Sequence, residues 1–133
     1  MDYGKHITIA AGTAEASKTR TRFYMWAGVI HQVVVKFPSG QEGTARCNIF
    51  QGSVQLWPTY RGEYYAGDGG GEDFREEYEL HRGLNIIDVY TWNLDATNDH
   101  TIWVSFKVGT MEMLNPQRTF FRRFEEFLKK LGV

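Results

Sequence analysis

The residues best suited to chemistry in this chain are its one cysteine and its four histidines. A cysteine beside a histidine can act as a nucleophile once its thiol loses the proton. Cys47 lies in an alternating run with Ala45 and Ile49, which predicts a small buried side chain on a strand. The histidines are widely separated along the chain: His6, His31, His81 and His100. Because a metal site needs several supported ligands, we expect each to be a packed or hydrogen-bonded structural residue.

An acidic, glycine-rich segment offers oxygen ligands instead. Asp68-Gly69-Gly70-Gly71-Glu72-Asp73 could supply oxygens to calcium, but its spacing is not that of an EF-hand loop, so we predict a flexible, solvated loop. The sequence has no serine elbow, no phosphate-binding glycine loop and no His-Glu-x-x-His motif. We therefore predict no catalytic residue, no cofactor and no metal site. An enzyme of the cupin type, which uses closely spaced histidine pairs, is the least favoured alternative.

Length and composition bound the remaining classes. A chain of 133 residues fits one domain with a real core. Aromatic residues make up 15 %, which suits sheet faces and interfaces. The net charge of -1 gives no sign of a nucleic-acid binder, and there is no apolar run of membrane-spanning length. The N-terminal residues show no signal-peptide pattern, so we expect a protein that is made and used without export.

The positions of these residues depend on β-strands. An alternation of apolar and other residues with a period of two predicts where those strands lie. From Thr101 to Val108, apolar and other residues alternate, as in a strand with one buried face. A similar run ends at Trp92, and the polar segment between them predicts two strands that are antiparallel neighbours. Strands are expected near 6–10, 20–26, 29–37, 43–51, 54–57, 72–80, 83–92 and 100–108. About eight strands at this spacing predict an all-β, jelly-roll-like antiparallel sandwich.

The C-terminal segment has the pattern of an amphipathic helix. Asn115 and Pro116 are a helix start, and Gly132 is a stop signal. We therefore divide the chain into a β-sandwich domain at 1–114, with a loop or weakly ordered arm at 13–21, and a helix at 115–133. Such a short helix is marginal alone, so its apolar side must be buried on something. Its candidate assembly residues are Phe120, Phe121, Phe124, Phe127, Leu128 and Leu131.

Charge is unevenly distributed along the chain. Acidic residues dominate the stretch 62–79, whereas basic residues outnumber acidic ones in 115–133. These segments are either two ordinary solvated faces or complementary surfaces that meet between subunits. The sequence leaves both interpretations open.

Several motifs occur at strand ends and in turns. They are Gly28-Val29-Ile30-His31-Gln32-Val33, Phe37-Pro38-Ser39-Gly40, Pro58, Gly67-Asp68, Glu77-Tyr78-Glu79-Leu80, and Trp92-Asn93-Leu94-Asp95-Ala96-Thr97 leading into His100-Thr101-Ile102. As a set they resemble a group of small tailed-bacteriophage proteins, in which GVIHxVxVxFPxG precedes WNxDxTxxHTI. The resemblance covers residues 22–108 and carries no catalytic chemistry. It implies a short all-β protein with a structural role on a phage particle, in the head, connector or tail.

The resemblance and the missing catalytic motifs lead to one hypothesis and one alternative. We expect a non-enzymatic virion structural protein, either a head decoration or cementing protein or a tail-associated one. Its partners would be copies of itself and other virion proteins, without nucleic acid or membrane, and its location the virion and, during assembly, the host cytoplasm. The alternative is a carbohydrate- or receptor-binding module. Its ligand-facing aromatic residues would be Tyr60, Tyr64 and Tyr65, with Trp57 and Trp92 near strand ends.

Overall fold

The computed structural model describes residues 1–110 and 116–132, and within the helix it describes side chains from Arg123 onward. The strands are β1 (Asp2–Ile9), β2 (Thr19–Met25), β3 (Gly28–Lys36), β4 (Ala45–Gln51), β5 (Val54–Trp57), β6 (Tyr65–Ala66), β7 (Gly71–Leu80), β8 (Asn85–Asn93) and β9 (His100–Gly109), and the helix is α1 (Pro116–Lys130). A single 3-10 turn at Glu15–Ser17 precedes β2. The predicted all-β sandwich with a C-terminal helix is confirmed. The expected Asn115 cap lies outside the described residues.

The strand order within the two sheets is that of a jelly roll. The first sheet has the order β1-β9-β3-β7, and the second has the order β2-β8-β4-β5, with the short β6 paired to β4. Strand β1 therefore pairs with β9, β2 with β8, β3 with β7 and β4 with β5, all antiparallel. This pattern is a long hairpin wrapped around itself, as in two interlocked Greek keys.

The prediction that the two strands around Trp92 and Thr101 are neighbours is wrong. Strand β8 belongs to the second sheet and β9 to the first, so the six residues between them cross from one sheet to the other. The alternating pattern could not reveal this, because a strand buries one face whether its sequence neighbour lies beside it or opposite it.

The inner faces of both sheets form one apolar core. Phe106 of β9 meets Phe23 of β2 edge to face, with ring centroids 5.1 Å apart, and Trp57 of β5 lies 6.2 Å from the same ring. Phe23 and Phe106 are at most 1 % exposed. These contacts join the two sheets through large side chains, and burying each one contributes about 1.5–3 kcal/mol.

A bulge in β3 changes which side chains face outward. Against β9, Ile30 pairs with Val108 and Gln32 with Lys107, which leaves His31 as the extra residue of β3. Against β7 the register also shifts here, but the extra residue lies on β7, where Glu76 and Glu77 both face His31. Ile30 and Val33 are both fully buried although they are three positions apart. His31 and Gln32 between them therefore belong to the outer side of the first sheet.

The acidic segment lies on an edge strand. β7 is at the edge of the first sheet, and five exposed acidic residues lie along it: Glu72, Asp73, Glu76, Glu77 and Glu79. Charged side chains on an edge discourage uncontrolled pairing with the strands of other molecules. The sequence alone did not show that this segment is an edge.

Candidate functional site

Helix α1 exposes three of the six apolar side chains that the sequence singles out. Phe124 is 50 % exposed, Phe127 is 57 % and Leu131 is 61 %, whereas Leu128 is partly buried. The side chains of Phe120 and Phe121 lie outside the described ones. The helix ends where the Gly132 amide donates to the Lys129 carbonyl at 3.1 Å, with Gly132 at a φ of +76°. That left-handed conformation favours glycine and ends the helix as predicted.

A second exposed apolar area lies at the end of the sandwich from which the chain continues toward α1. Trp26, in the turn between β2 and β3, is 63 % exposed, and Met1 is 79 % exposed. Together with Tyr3, Val108 and Thr110 they line a groove of about 200 Å³. Single exposed apolar residues are ordinary, but several around one groove make it a candidate interaction surface. Sequence reasoning missed this groove, because its residues come from three separate strand ends.

The three loop tyrosines have different surroundings. Tyr60 is 80 % exposed at the tip of its loop. The ring of Tyr64 lies 5.6 Å from that of Trp92, and the Arg46 guanidinium lies 4.5 Å from the Tyr64 centroid. Tyr65 is half-buried against Phe74, and this burial, with the charge of Glu72, raises its pKa. Tyr60 alone among the three is mainly open to solvent.

The loop that carries Tyr60 is organised by one glutamine. The Gln55 side-chain amide lies 2.8 Å from the Pro58 carbonyl, 3.1 Å from that of Tyr60 and 3.0 Å from that of Glu63. The Gly62 amide donates a hydrogen bond to the side-chain oxygen of Gln55 at 3.0 Å. These bonds hold the loop against the outer side of the second sheet, where Tyr64 covers Trp92.

The outer side of the second sheet is covered by the chain's own cations. Lys18 places its ammonium 5.1 Å from the Tyr90 centroid, 5.9 Å from Phe50 and 6.0 Å from Trp92. Phe50 and Tyr90 meet edge to face at 5.3 Å. Trp92 is only 1 % exposed. Trp92, and likewise Trp57 at 5 % exposure in the core, therefore offers no surface on which a ligand could stack.

The outer side of the first sheet is more open. Trp103 of β9 is partly exposed there, and its ring lies 4.6 Å from that of His6 on the neighbouring β1. The alternating sequence pattern places Trp103 in a strand and indicates no further role for it. A signal was present, because Trp103 is the single large apolar residue among outward-facing Thr101, Ser105 and Lys107.

Cys47, His81 and His100 each have surroundings typical of structural residues. Burial raises the pKa of the Cys47 thiol to about 12, so it remains protonated and unreactive at neutral pH. His81 bonds the Arg82 carbonyl at 3.0 Å, and His100 Nε2 lies 2.9 Å from Asp95 Oδ2. Among residues 1–110 and 116–132, no three His, Cys, Asp or Glu side chains are grouped to hold a metal ion.

The Trp92–His100 motif organises the crossover between the sheets. Asn93 donates to the Asn98 carbonyl at 2.9 Å, and the Asp95 amide donates to Asn93 Oδ1 at 2.9 Å. Asp95 accepts bonds from the Thr97 amide and from His100, and these hold the pKa of its carboxyl well below its ordinary value. The motif residues are thus explained by loop geometry.

The acidic, glycine-rich segment is also tied to the body. Asp68 accepts a bond from the Gly40 amide at 2.6 Å, and the Phe37 amide donates to the Gly70 carbonyl at 2.8 Å. The segment therefore pairs with the turn that follows β3.

Comparison with protein-family models, with curated proteins and with solved structures finds no match to this chain. Within the described residues, no helix combines the length and the apolar run needed to cross a bilayer.

Proposed function

We propose that this chain is a non-enzymatic structural protein of a bacteriophage particle that works through protein–protein contacts. It would act either as a head decoration or cementing protein or as a tail-associated one. Its partners would be copies of itself and other virion proteins, in the virion and, during assembly, in the host cytoplasm. The resemblance of its turn and strand-end motifs to small tailed-phage proteins supports a location on a phage particle. The surface of α1 supports action through protein–protein contacts.

The observation that carries the assembly proposal is the exposed stripe of α1. Phe127 and Leu131 each keep more than half of their surface in water. A helix of 15 residues is marginal in isolation, and burial of these two side chains would stabilise it. Burying one such side chain contributes about 1.5–3 kcal/mol. Two of them supply an anchor of the kind that dominates protein interfaces.

A second copy of the chain is the partner that its own surfaces fit. The groove around Trp26 and Met1 is apolar and lies at the end of the sandwich nearest the helix connection. The described polar side of α1 has a small positive excess, with Arg123, Lys129 and Lys130 against Glu125 and Glu126, and the edge strand β7 is acidic. An apolar stripe that enters the groove of a neighbour, with opposite charges beside it, gives both affinity and orientation.

Light scattering coupled to size-exclusion chromatography of the full chain tests this proposal. The wild type should elute as an oligomer, and Phe127→Ser with Leu131→Ser should shift it to a monomer. Trp26→Ser, on the groove, should weaken the same association. A matched control is Glu126→Gln, which changes an exposed residue on the opposite side of the helix, leaves the basic residues in place and should remain oligomeric. A wild type that is monomeric at every concentration would contradict the assembly role.

The particle itself has a separate test. Mass spectrometry of gradient-purified phage particles from cells that express the chain should detect it at a fixed ratio to the major shell or tail protein. Oligomers that never appear in purified particles would leave self-association intact and reject the virion role.

A further inference from the structure

The Trp103 indole lies close to Gly4 of the neighbouring strand β1, at a position that a side chain on residue 4 would occupy. A Cβ added to Gly4 would lie 2.5 Å from Cη2 and 2.6 Å from Cζ2 of the indole. Gly4 does not adopt a positive φ, so its backbone does not require glycine. The absence of a side chain at Gly4 leaves the space on the sheet surface that the indole occupies.

His6 holds the indole from the side. It is the cross-strand partner of Trp103 in the β1–β9 register, and the two rings are tilted by 49° with centroids 4.6 Å apart. Trp103 is therefore fixed in place yet still partly exposed. Trp57 and Trp92 are buried, and Trp26 projects from the sandwich end, so Trp103 is the tryptophan presented on a sheet face.

Two open grooves meet at this indole. One, of about 440 Å³, extends along the outer side of the first sheet over Gly4, Ser105 and Val34. The other, of about 490 Å³, extends toward Phe37 and Pro38, and its lining is mainly apolar. Trp103 and Lys36 line both. These volumes fall within the range of small-molecule sites, and together they suit an elongated ligand that crosses Trp103.

The polar residues of the first groove can hydrogen-bond hydroxyl groups. Gln32 donates to Asp73 Oδ1 at 2.6 Å, which orients the carboxylate, and a carboxylate accepts further bonds. Asp2 and Asp73 are balanced by Lys36 and Lys107 in the same groove. With these charges balanced, the groove favours neither an anion nor a cation. The site therefore presents the aromatic plane of Trp103 with hydrogen-bond donors and acceptors around it.

We propose that the outer side of the first sheet is a binding site for a neutral oligosaccharide. One sugar ring places its apolar C–H face on Trp103. Hydroxyl groups of the oligosaccharide form hydrogen bonds with Gln32, Asp73 and Lys36. This site is separate from the α1 stripe, and it does not depend on self-association. An aromatic side chain that covers a strand glycine can also serve only to pack the sheet. The two roles differ in whether a ligand binds.

A glycan array that carries neutral, sialylated and sulfated oligosaccharides, probed with the full chain, provides the first test. We expect binding to neutral glycans, followed by titration calorimetry of the best one. No binding to any neutral glycan would overturn the proposal, as would binding confined to sulfated or sialylated glycans. In either case Trp103 would be a packing residue.

Three variants then locate the site. Trp103→Ala should weaken binding by roughly tenfold or more, as expected when an aromatic stacking platform is removed. Tyr24→Ala, at an exposed aromatic residue of the second sheet, should bind as the wild type does. Gly4→Ala keeps the indole but displaces it, and should also weaken binding while circular dichroism stays unchanged. Gly4→Ala carries the test if Trp103→Ala fails to fold. Affinity that is insensitive to Gly4→Ala would reject the site.

Discussion

The sandwich and the helix differ in how completely the chain covers their apolar side chains. In the sandwich, Trp92 and Phe106 are at most 1 % exposed, whereas Phe127 and Leu131 of α1 are 57 % and 61 % exposed. A filled core accounts for the stability of the folded sandwich. A helix that leaves its stripe in water contributes little to that stability and is available for another molecule. The comparison separates a part that folds by itself from a part for which we propose association with another molecule.

The largest effect on this comparison should come from Trp92→Ala. The side chain is covered by Tyr64 and the Lys18 loop, so its loss leaves a cavity and should lower the free energy of unfolding by about 3–5 kcal/mol. Urea denaturation followed by circular dichroism measures it. Trp103→Ala, on the open face, is the control and should cost clearly less. Equal losses would mean that the two faces are equally covered.

A smaller effect, dependent on pH, should come from Asp95→Asn in the crossover loop. Hydrogen bonds from the Thr97 amide and His100 hold the Asp95 pKa below its ordinary 3.8. A lowered pKa in the folded state stabilises the protein fully above pH 4, and this stabilisation is lost as the pH falls through the folded value.

The urea midpoint of the wild type should therefore exceed that of Asp95→Asn at pH 7, and the gap should narrow below about pH 4. The difference between the two proteins isolates this carboxyl from the other titrating groups. A gap that stays constant from pH 7 to pH 2 would show that Asp95 does not carry this pH dependence.

Lys18→Met should have a modest effect. The ammonium lies 5.1 Å from the Tyr90 centroid, and an exposed cation–π contact contributes about 0.5–1 kcal/mol. Methionine keeps the apolar length of the side chain and removes the charge. Thermal denaturation at low and moderate salt checks the size. No change in stability would show that the lysine covers the second sheet without stabilising it.

The smallest effect on the sandwich should come from the α1 stripe. Phe127→Ser with Leu131→Ser, measured at a concentration too low for association, should change the free energy of unfolding of the sandwich by less than about 0.5 kcal/mol. The readout is urea denaturation followed by the core tryptophan fluorescence. A loss of several kcal/mol would mean that the helix packs on its own sandwich, and the contrast between the two parts would disappear.

Most of the strands could be predicted from the sequence because alternation is a local signal. The run from Thr101 to Val108 predicts β9 within one residue at each end, and the helix from Pro116 follows from its apolar stripe and Gly132. Strand pairing is not local. The β8–β9 crossover was therefore predicted wrongly, and the His31 bulge was not predicted.

The candidate surfaces show the same limit more sharply. Trp92 and Trp103 both occupy outward positions of alternating strands, so the sequence treats them alike. A loop held by Gln55 covers Trp92, whereas Trp103 lies over a glycine of the neighbouring strand and remains partly exposed. Distant segments decide both outcomes, and their placement depends on the jelly-roll topology. The exposed α1 stripe was predictable as a stripe, but its exposure was not.

The most direct test of the central claim is hydrogen–deuterium exchange of the α1 amides, Pro116–Lys130, at about 1 µM and about 200 µM full-length chain. If α1 docks on a neighbouring copy, its amides should exchange more slowly at the higher concentration, while those of β8 and β9 stay equally protected at both. The same protection of α1 at both concentrations would contradict the claim that this helix is an assembly element.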